Sequence, residues 1–133
     1  MSFFDIFAKK PTESKTTYTL RAELHPYRIP ANTSDFVDLE ISVSNNSTES
    51  VLTSILINVP RGLGFEQSAI SQKKEMHLGQ MEPKTVKQFK LRIYGTIRTQ
   101  KGMYPVSIYA LSHYQDYSHM LNEVKKTVEL RVD

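Results

Sequence analysis

Three residues near the C-terminal end of the chain carry side chains that could ligate a metal ion. His113, Asp116 and His119 lie just before the last predicted strand, and imidazole together with carboxylate is a ligand set that zinc accepts. The two histidines are six residues apart on a segment without regular periodicity, so the spacing places them on no common face. We therefore predict exposed loop histidines, with no metal and no cofactor.

Motifs typical of catalytic sites are missing from the sequence. The chain has no cysteine, which excludes a disulfide framework, a thiolate zinc site and a cysteine nucleophile. Neither a Gly-x-Ser-x-Gly turn nor a Gly-x-x-x-x-Gly-Lys loop occurs, so the usual settings for an activated serine and for a bound phosphate are absent. The sequence predicts a protein that is not an enzyme.

A basic and aromatic stripe is the candidate ligand surface. Lys90, Arg92 and Tyr94 share the outward parity of one predicted strand, and Arg98 and Lys101 lie in the turn beyond it. Such a stripe could bind nucleic acid, with the cations on phosphates and Tyr94 stacked on a base, or carbohydrate. The other interpretation is a solvated sheet face whose lysines deter edge pairing. A net charge of +3 is small, so nucleic acid is not the favoured partner.

The first ten residues form an aromatic tip that a sandwich fold does not explain. Phe3, Phe4, Ile6 and Phe7 are followed by Lys9 and Lys10. Such a segment suits a groove on a partner protein or peripheral contact with a membrane interface. Alternatively, it folds back and covers an open sheet edge. The four apolar residues are our predicted partner-binding residues.

Alternation of apolar and polar residues predicts the elements that position these groups. In the clearest strand, Val37, Leu39, Ile41 and Val43 point one way and the polar residues between them point the other. Leu52 and Leu56 lie opposite the inward set of their own strand, which predicts a strand covered on both sides. Comparable patterns occupy the ranges 17–25, 51–59, 84–94, 104–110 and 124–132, with a short segment around 76–81.

The predicted fold is all-β. The 133 residues are enough for one domain, and strands separated by Gly, Pro and Asn turns without helical crossovers favour antiparallel pairing in two packed sheets. We predict an immunoglobulin-like, seven-stranded Greek-key sandwich at 17–133, preceded by a tip and linker at 1–16. A closed barrel is the alternative.

Three segments resemble a known group of domains. Asn-Val-Pro-Arg-Gly-Leu spans Asn58 to Leu63, Leu-Gly-Gln-Met-Glu-Pro spans Leu78 to Pro83, and Gly-Met-Tyr-Pro-Val spans Gly102 to Val106. Their order is similar to that in archaeal and bacterial CARDB-like domains and the related immunoglobulin-like modules associated with glycosidases. Lys84 stands where the pattern of that group has glycine. The resemblance implies an interaction or spacer module and carries over no catalytic residue.

The expected function is that of a noncatalytic interaction or accessory module. Another protein would bind through a sheet edge, the loops or the aromatic tip, and an unpaired edge strand could also support self-association. The competing hypothesis is a ligand-binding domain that uses Lys90, Arg92 and Tyr94. The sequence shows neither an export signal nor a long apolar run, so we expect a cytoplasmic protein, or an extracellular one if the precursor is longer.

Overall fold

The computed structural model describes residues 17–133, which form two stacked β-sheets without a helix. Eight strands follow one another along the chain: β1 Tyr18–His25, β2 Arg28–Ile29, β3 Phe36–Asn45, β4 Val51–Asn58, β5 Lys73–Met81, β6 Val86–Tyr94, β7 Gly102–His113 and β8 Met120–Val132. The all-β, immunoglobulin-like class is thereby confirmed. No helix of the described residues is long and apolar enough to cross a membrane.

The strands are divided between a three-stranded sheet, in the order β1-β3-β6, and a five-stranded sheet, in the order β2-β8-β7-β4-β5. The chain passes between the sheets after β1, β2, β3, β5 and β6. β5 and β6 are therefore edge strands of different sheets joined by the short 82–85 loop. Every pairing between the described strands is antiparallel except that of β2 with β8, which is parallel.

The core lies between the sheets and is made by the inward-facing half of each alternating strand. The four apolar residues of β3 that the sequence assigned to the core, Val37 to Val43, are all buried. A hydrogen bond of 2.7 Å between the Tyr18 hydroxyl and Thr53 Oγ1 joins the two sheets inside this core. The apolar packing and this polar tie fix how the sheets stack.

The last two strands, β7 and β8, are longer than the predicted ranges 104–110 and 124–132, and two further elements differ from the sequence prediction. The strand count is eight rather than seven, because Arg28–Ile29 pairs with the end of β8, and two residues are too few to show a period. β5 begins at Lys73 and not near Met76, since its first three residues are all exposed and carry no alternation.

The conformation of the 82–85 loop shows how Lys84 occupies a position at which the CARDB-like pattern has glycine. Lys84 has a φ of 64°, the left-handed conformation that glycine adopts without a steric cost. Its amide donates to the carbonyl of Asn45 over 2.8 Å. The position thus keeps the conformation for which a glycine would be expected, and a main-chain hydrogen bond to the end of β3 holds it.

Candidate functional site

The predicted basic stripe lies on the outer face of the three-stranded sheet and is paired with acidic residues of β3. Lys90 Nζ is 3.5 Å from Glu40 Oε2, and Arg92 Nε is 3.4 Å from Asp38 Oδ1. The register sets these pairs, because Glu40 lies opposite Lys90 and Asp38 opposite Arg92. Exposed ion pairs contribute little to stability, but these pairs neutralise the two cations of the stripe.

Tyr94, the aromatic member of the stripe, packs against a residue of its own sheet. Its ring centroid is 5.7 Å from that of Phe36, and the Arg92 guanidinium carbon lies 3.9 Å from the Phe36 centroid. A concavity of about 960 Å³ opens over the same sheet face, with Arg21, Glu40 and Lys90 in its lining. The structure thus brings Lys90, Arg92 and Tyr94 together on one face, and their binding of nucleic acid or carbohydrate stays a prediction.

The three candidate metal ligands of the sequence divide into two separate arrangements. His113 is nearly fully buried, and its Nε2 lies 2.7 Å from Ser54 Oγ. Asp116 and His119 pair with each other in the exposed loop, with Oδ1 and Nδ1 2.8 Å apart. Hydrogen bonds from Ser118 and His119 lower the pKa of Asp116 to about 2. Loop exposure was therefore predicted correctly for His119 and wrongly for His113.

His113 belongs to a cluster whose other members, Ser54, His77 and Tyr117, come from different segments of the chain. The Tyr117 and His113 rings form an edge-to-face pair with centroids 5.1 Å apart, and Tyr117 stacks on His77 with centroids 3.7 Å apart. Burial lowers the pKa of His113, and the neighbouring His77 lowers it further. This cluster covers one end of β5, and no local sequence pattern indicates it because Ser54 and His77 are remote along the chain.

The predicted partner-binding residues Phe3, Phe4, Ile6 and Phe7 lie outside the described residues. Their role stays a prediction. The linker assigned to residues 11–16 likewise lies outside this range.

β6 has a free edge, and the main chain of its alternate residues points away from β3. Tyr94 exchanges two main-chain hydrogen bonds with Gly64 on that side, of 2.8 and 3.1 Å. In an antiparallel strand, residues alternate between facing one neighbour and facing the other. The N–H and C=O groups of Gln88, Lys90 and Arg92 therefore point to the same free side. No described residue forms a main-chain hydrogen bond with them there.

Four apolar side chains of the edge strands β5 and β6 are incompletely covered. Phe89 and Leu91 of β6, together with Met76 and Leu78 of β5, pack against the core but are only half-buried. We call these four residues the lateral slot. Their cross-strand neighbours show the cause, because Ile41 opposite Phe89 and Leu39 opposite Leu91 are fully covered in the middle of the sheet.

The Gly64 bridge shows how an additional strand changes that exposure. Ile93 shares the inward parity of Phe89 and Leu91, yet it is fully buried. It adjoins Tyr94, the position at which the Gly64 segment pairs with β6. The half-exposure of Phe89 and Leu91 thus coincides with the length of edge that no described segment covers.

The sequence predicted the inward orientation of Phe89 and Leu91 but not the lateral slot. Their alternation with Lys90 and Arg92 is the same pattern as in the central strand β3. Whether a strand lies at an edge depends on strand order, which is set by contacts between distant segments. The lysines of this strand, Lys87 and Lys90, were the available signal, since lysine is common on exposed edges.

Comparisons with solved structures support the fold. A CARDB domain from Pyrococcus furiosus, in complex with di-metal ions, has 16% sequence identity and a TM-score of 0.57, covering 87% of each chain. A PapD-like domain of human CEP192 has 11% identity and a TM-score of 0.52, covering 100% of this chain and 96% of that one. The predicted CARDB-like resemblance is confirmed at the level of fold.

The same architecture also occurs in a protein that is a catalyst. AvmM, which catalyses macrocyclization in alchivemycin A biosynthesis, has 7% identity and a TM-score of 0.55, covering 88% of this chain and 89% of that one. No protein-family model matches the sequence, and no curated protein matches it significantly. At such low identities the likeness shows the architecture, and function must be argued from the surface of this chain.

Proposed function

We propose that this domain is a noncatalytic interaction module that binds an extended segment of another protein along the free edge of β6. The observation that carries the proposal is the lateral slot beside an unpaired edge. The bound segment would extend the three-stranded sheet from the Gly64 bridge along Arg92, Lys90 and Gln88. Strand addition of this kind takes its affinity from main-chain hydrogen bonds and its selectivity from alternate side chains.

The main-chain part of the interaction is already oriented. Gln88, Lys90 and Arg92 each present an N–H donor and a C=O acceptor to the free side of β6. A partner strand can pair with these groups without displacing any described main-chain partner. Because the strand is fixed by its pairing with β3, little conformational entropy is lost on the side of the domain.

The side-chain part sets the preferred sequence of the partner. Every second residue of an added strand would face Phe89 and Leu91, so apolar side chains at those positions would complete the core. The intervening residues would lie beside Lys90 and Arg92, which already have acidic partners. We therefore expect partners with alternating apolar and polar residues and no charge facing the slot.

An accessory role agrees with the structural neighbours and with the surface of the domain. Two of the similar structures are a CARDB domain and a PapD-like domain, neither of which is described by an activity. Two serine–histidine contacts occur among the described residues, Ser54 with His113 and Ser118 with His119. Ser118 and Asp116 contact the same Nδ1 of His119, so they are not placed on its two nitrogens as a nucleophile and an orienting acid would be. Ser54 is fully buried, so its hydroxyl cannot reach a substrate in this conformation.

Selection of peptides from a displayed library of random linear sequences tests the proposal. Binders should share alternating apolar positions, and a selected peptide should perturb the amide NMR signals of Gln88, Lys90 and Arg92. Lys90→Pro removes an outward N–H without removing a ladder bond to β3. We expect it to weaken peptide binding about 10-fold, which corresponds to the loss of one main-chain hydrogen bond.

Glu75→Pro is the matched control, because the main chain of Glu75 also faces the free side of its edge strand, β5. It should leave peptide binding unchanged, and Gln88→Pro replaces Lys90→Pro if that variant does not fold. Peptides that perturb the 114–119 loop or the outer sheet faces instead would contradict the proposal. A dimer in sedimentation experiments that Lys90→Pro dissociates would identify a second copy of the chain as the partner.

The aromatic tip is a separate part of the functional prediction. Deletion of residues 1–10 should leave peptide binding at β6 intact if the tip binds its own partner. Stronger peptide binding after the deletion would instead indicate that Phe3, Phe4, Ile6 and Phe7 cover a sheet edge. Comparison of the full chain with the deleted chain by titration with the selected peptide separates these two roles.

A further inference from the structure

Glu23, His25 and Glu40 form a cluster on the outer face of the three-stranded sheet. Glu23 and His25 are two residues apart on β1 and so share a face. Glu40 lies directly opposite Glu23 on β3. His25 Nε2 is 3.1 Å from Glu23 Oε1 and 3.7 Å from Glu40 Oε1, and one ligand atom from each of the three residues lies within 4.8 Å of the others.

We propose that these three side chains form a binding site for a divalent transition-metal ion, with Zn²⁺ as the expected ion. Zn²⁺ binds imidazole nitrogen and carboxylate oxygen at about 2.0–2.2 Å, so neighbouring ligand atoms of a tetrahedral site are roughly 3.3 Å apart. The two distances from His25 Nε2 lie close to that spacing. Small side-chain rotations would complete three protein ligands, and the exposed side leaves the fourth position to water.

The donor types favour a transition metal over Ca²⁺ or Mg²⁺. Both hard cations prefer sites made of oxygen ligands, and Mg²⁺ demands near-octahedral geometry with several retained waters. A nitrogen at the centre of the cluster suits Zn²⁺, Ni²⁺ or Cu²⁺. The strand register supplies the rigidity, because both strands pair along their full length.

The charges of the site leave room for a cation. Like charges directly opposite each other on adjacent strands are destabilising, yet Glu23 and Glu40 occupy such positions. Lys90 neutralises only part of this charge and approaches Glu40 through Oε2, at 3.5 Å. Because Oε1 is the atom that faces His25, Glu40 can ligate the metal through Oε1 while Lys90 stays beside Oε2.

Two other pairs of histidine and carboxylate provide an internal comparison. His77 lies 3.2 Å from Glu75, and His119 lies 2.8 Å from Asp116. Within residues 17–133, only the cluster of Glu23, His25 and Glu40 brings a third ligand into range. If a single imidazole with one carboxylate were enough for binding, all three places would bind equally well.

Titration of the untagged full chain with Zn²⁺ at neutral pH, followed by calorimetry, tests the site. We expect one saturable site per chain, and His25→Ala should weaken binding by about 10-fold or more, the effect typical of a lost ligand or its support. Glu23→Gln and Glu40→Gln should weaken it in the same direction. Lys90→Met should tighten binding several-fold, because it removes a positive charge next to the ion.

His119→Ala is the matched control and should leave the affinity unchanged. Circular dichroism establishes that each variant is folded, and Co²⁺ in place of Zn²⁺ provides a visible spectrum that should be lost in His25→Ala. Absence of saturable binding by the full chain would overturn the proposal. Undiminished Zn²⁺ binding by His25→Ala, or an equal loss of Zn²⁺ affinity in His119→Ala, would also overturn it. None of these outcomes bears on peptide binding at β6.

Discussion

The two edge strands on one side of the sandwich, β5 and β6, differ in how their outer main chain is protected. In β5, the pairing with β4 shifts register at Thr53 and Ser54, and Gly79 adopts a φ of 76°. Side chains cap its main chain beyond that point, where Lys87 Nζ donates to the Leu78 carbonyl and the Gly79 amide donates to the Tyr117 hydroxyl. β6 has a regular register along its length.

This difference indicates which edge is available for pairing. Bulges, charges and covering loops protect edge strands from unwanted partners, and β5 combines all three, with Lys73, Lys74 and Glu75 at its exposed start. The middle of β6 carries charged side chains but has neither a bulge nor a covering segment among the described residues. A partner strand is therefore expected at β6, and substitutions that change the protection of either edge test the contrast.

The largest loss of folding stability is expected at the end of β3, next to the 82–85 loop that joins β5 to β6. Asn45 is fully buried and donates to the carbonyls of Glu49 and Met81, at 2.9 and 2.8 Å, while its Oδ1 accepts from Ser47. Asn45→Ala should lower the free energy of unfolding by about 2–4 kcal/mol, because buried partners are left without hydrogen bonds. Urea denaturation measures the loss.

Asn46→Ala is the control for Asn45→Ala. Asn46 is exposed and its side chain reaches Thr19, so its loss should cost less than about 1 kcal/mol. Equal losses in the two variants would show that Asn45 does not anchor the end of β5. Peptide binding at β6 should also weaken in Asn45→Ala, because Met81 leads directly into the 82–85 loop.

The covered end of β5 should respond to acid. Burial lowers the pKa of His113 below its ordinary value of 6.5, so the unfolded chain binds this proton more readily than the folded one. The contribution of neutral His113 to the free energy of unfolding is therefore fully present above pH 6.5. It is lost as the pH falls from 6.5 toward the lowered pKa of the folded state. Urea denaturation at neutral pH and at pH values below 6.5 should show this decrease.

His113→Gln should flatten this pH dependence, because the amide can bond Ser54 but does not titrate. His119→Gln should retain the dependence of the original chain, since His119 is exposed. A loss of stability in acid that persists in His113→Gln would show that His113 is not its source. Peptide binding at β6 should change little with pH, so the two edge strands should differ in their response to acid as well.

The sequence predicts local features better than edge status or long-range contacts. Period-two alternation correctly placed Val37 to Val43 in the core, because burial of one face leaves a direct mark on a strand. The same alternation in β6 carried no sign that Phe89 and Leu91 are half-exposed. His113 was predicted as exposed because its partner Ser54 is 59 residues away, beyond the reach of any local pattern.

A smaller loss of folding stability is expected from substitution of Gly79 at the bulge in β5. A Cβ at Gly79 would meet no atom within 4 Å, so the cost of Gly79→Ala is conformational and comes from its φ of 76°. Alanine in this left-handed region costs about 1–2 kcal/mol. Gln80→Ala, at an exposed neighbour on the same strand, should stay within about 0.5 kcal/mol of the original chain. A neutral Gly79→Ala would mean that the register shift is not fixed by this backbone conformation.

The smallest effect is expected when Tyr117 loses only its hydroxyl. The Gly79 amide donates to that hydroxyl over 2.9 Å, so Tyr117→Phe should cost about 1 kcal/mol, while the stacking on His77 is kept. Amide exchange measured by NMR is the sharper readout, because the Gly79 signal should exchange faster in the variant. The amides of Gln88, Lys90 and Arg92 should exchange rapidly in both proteins, since no described acceptor protects them. Slow exchange at those three positions would mean that the β6 edge is already occupied in solution, and the contrast between the two edges would then be lost.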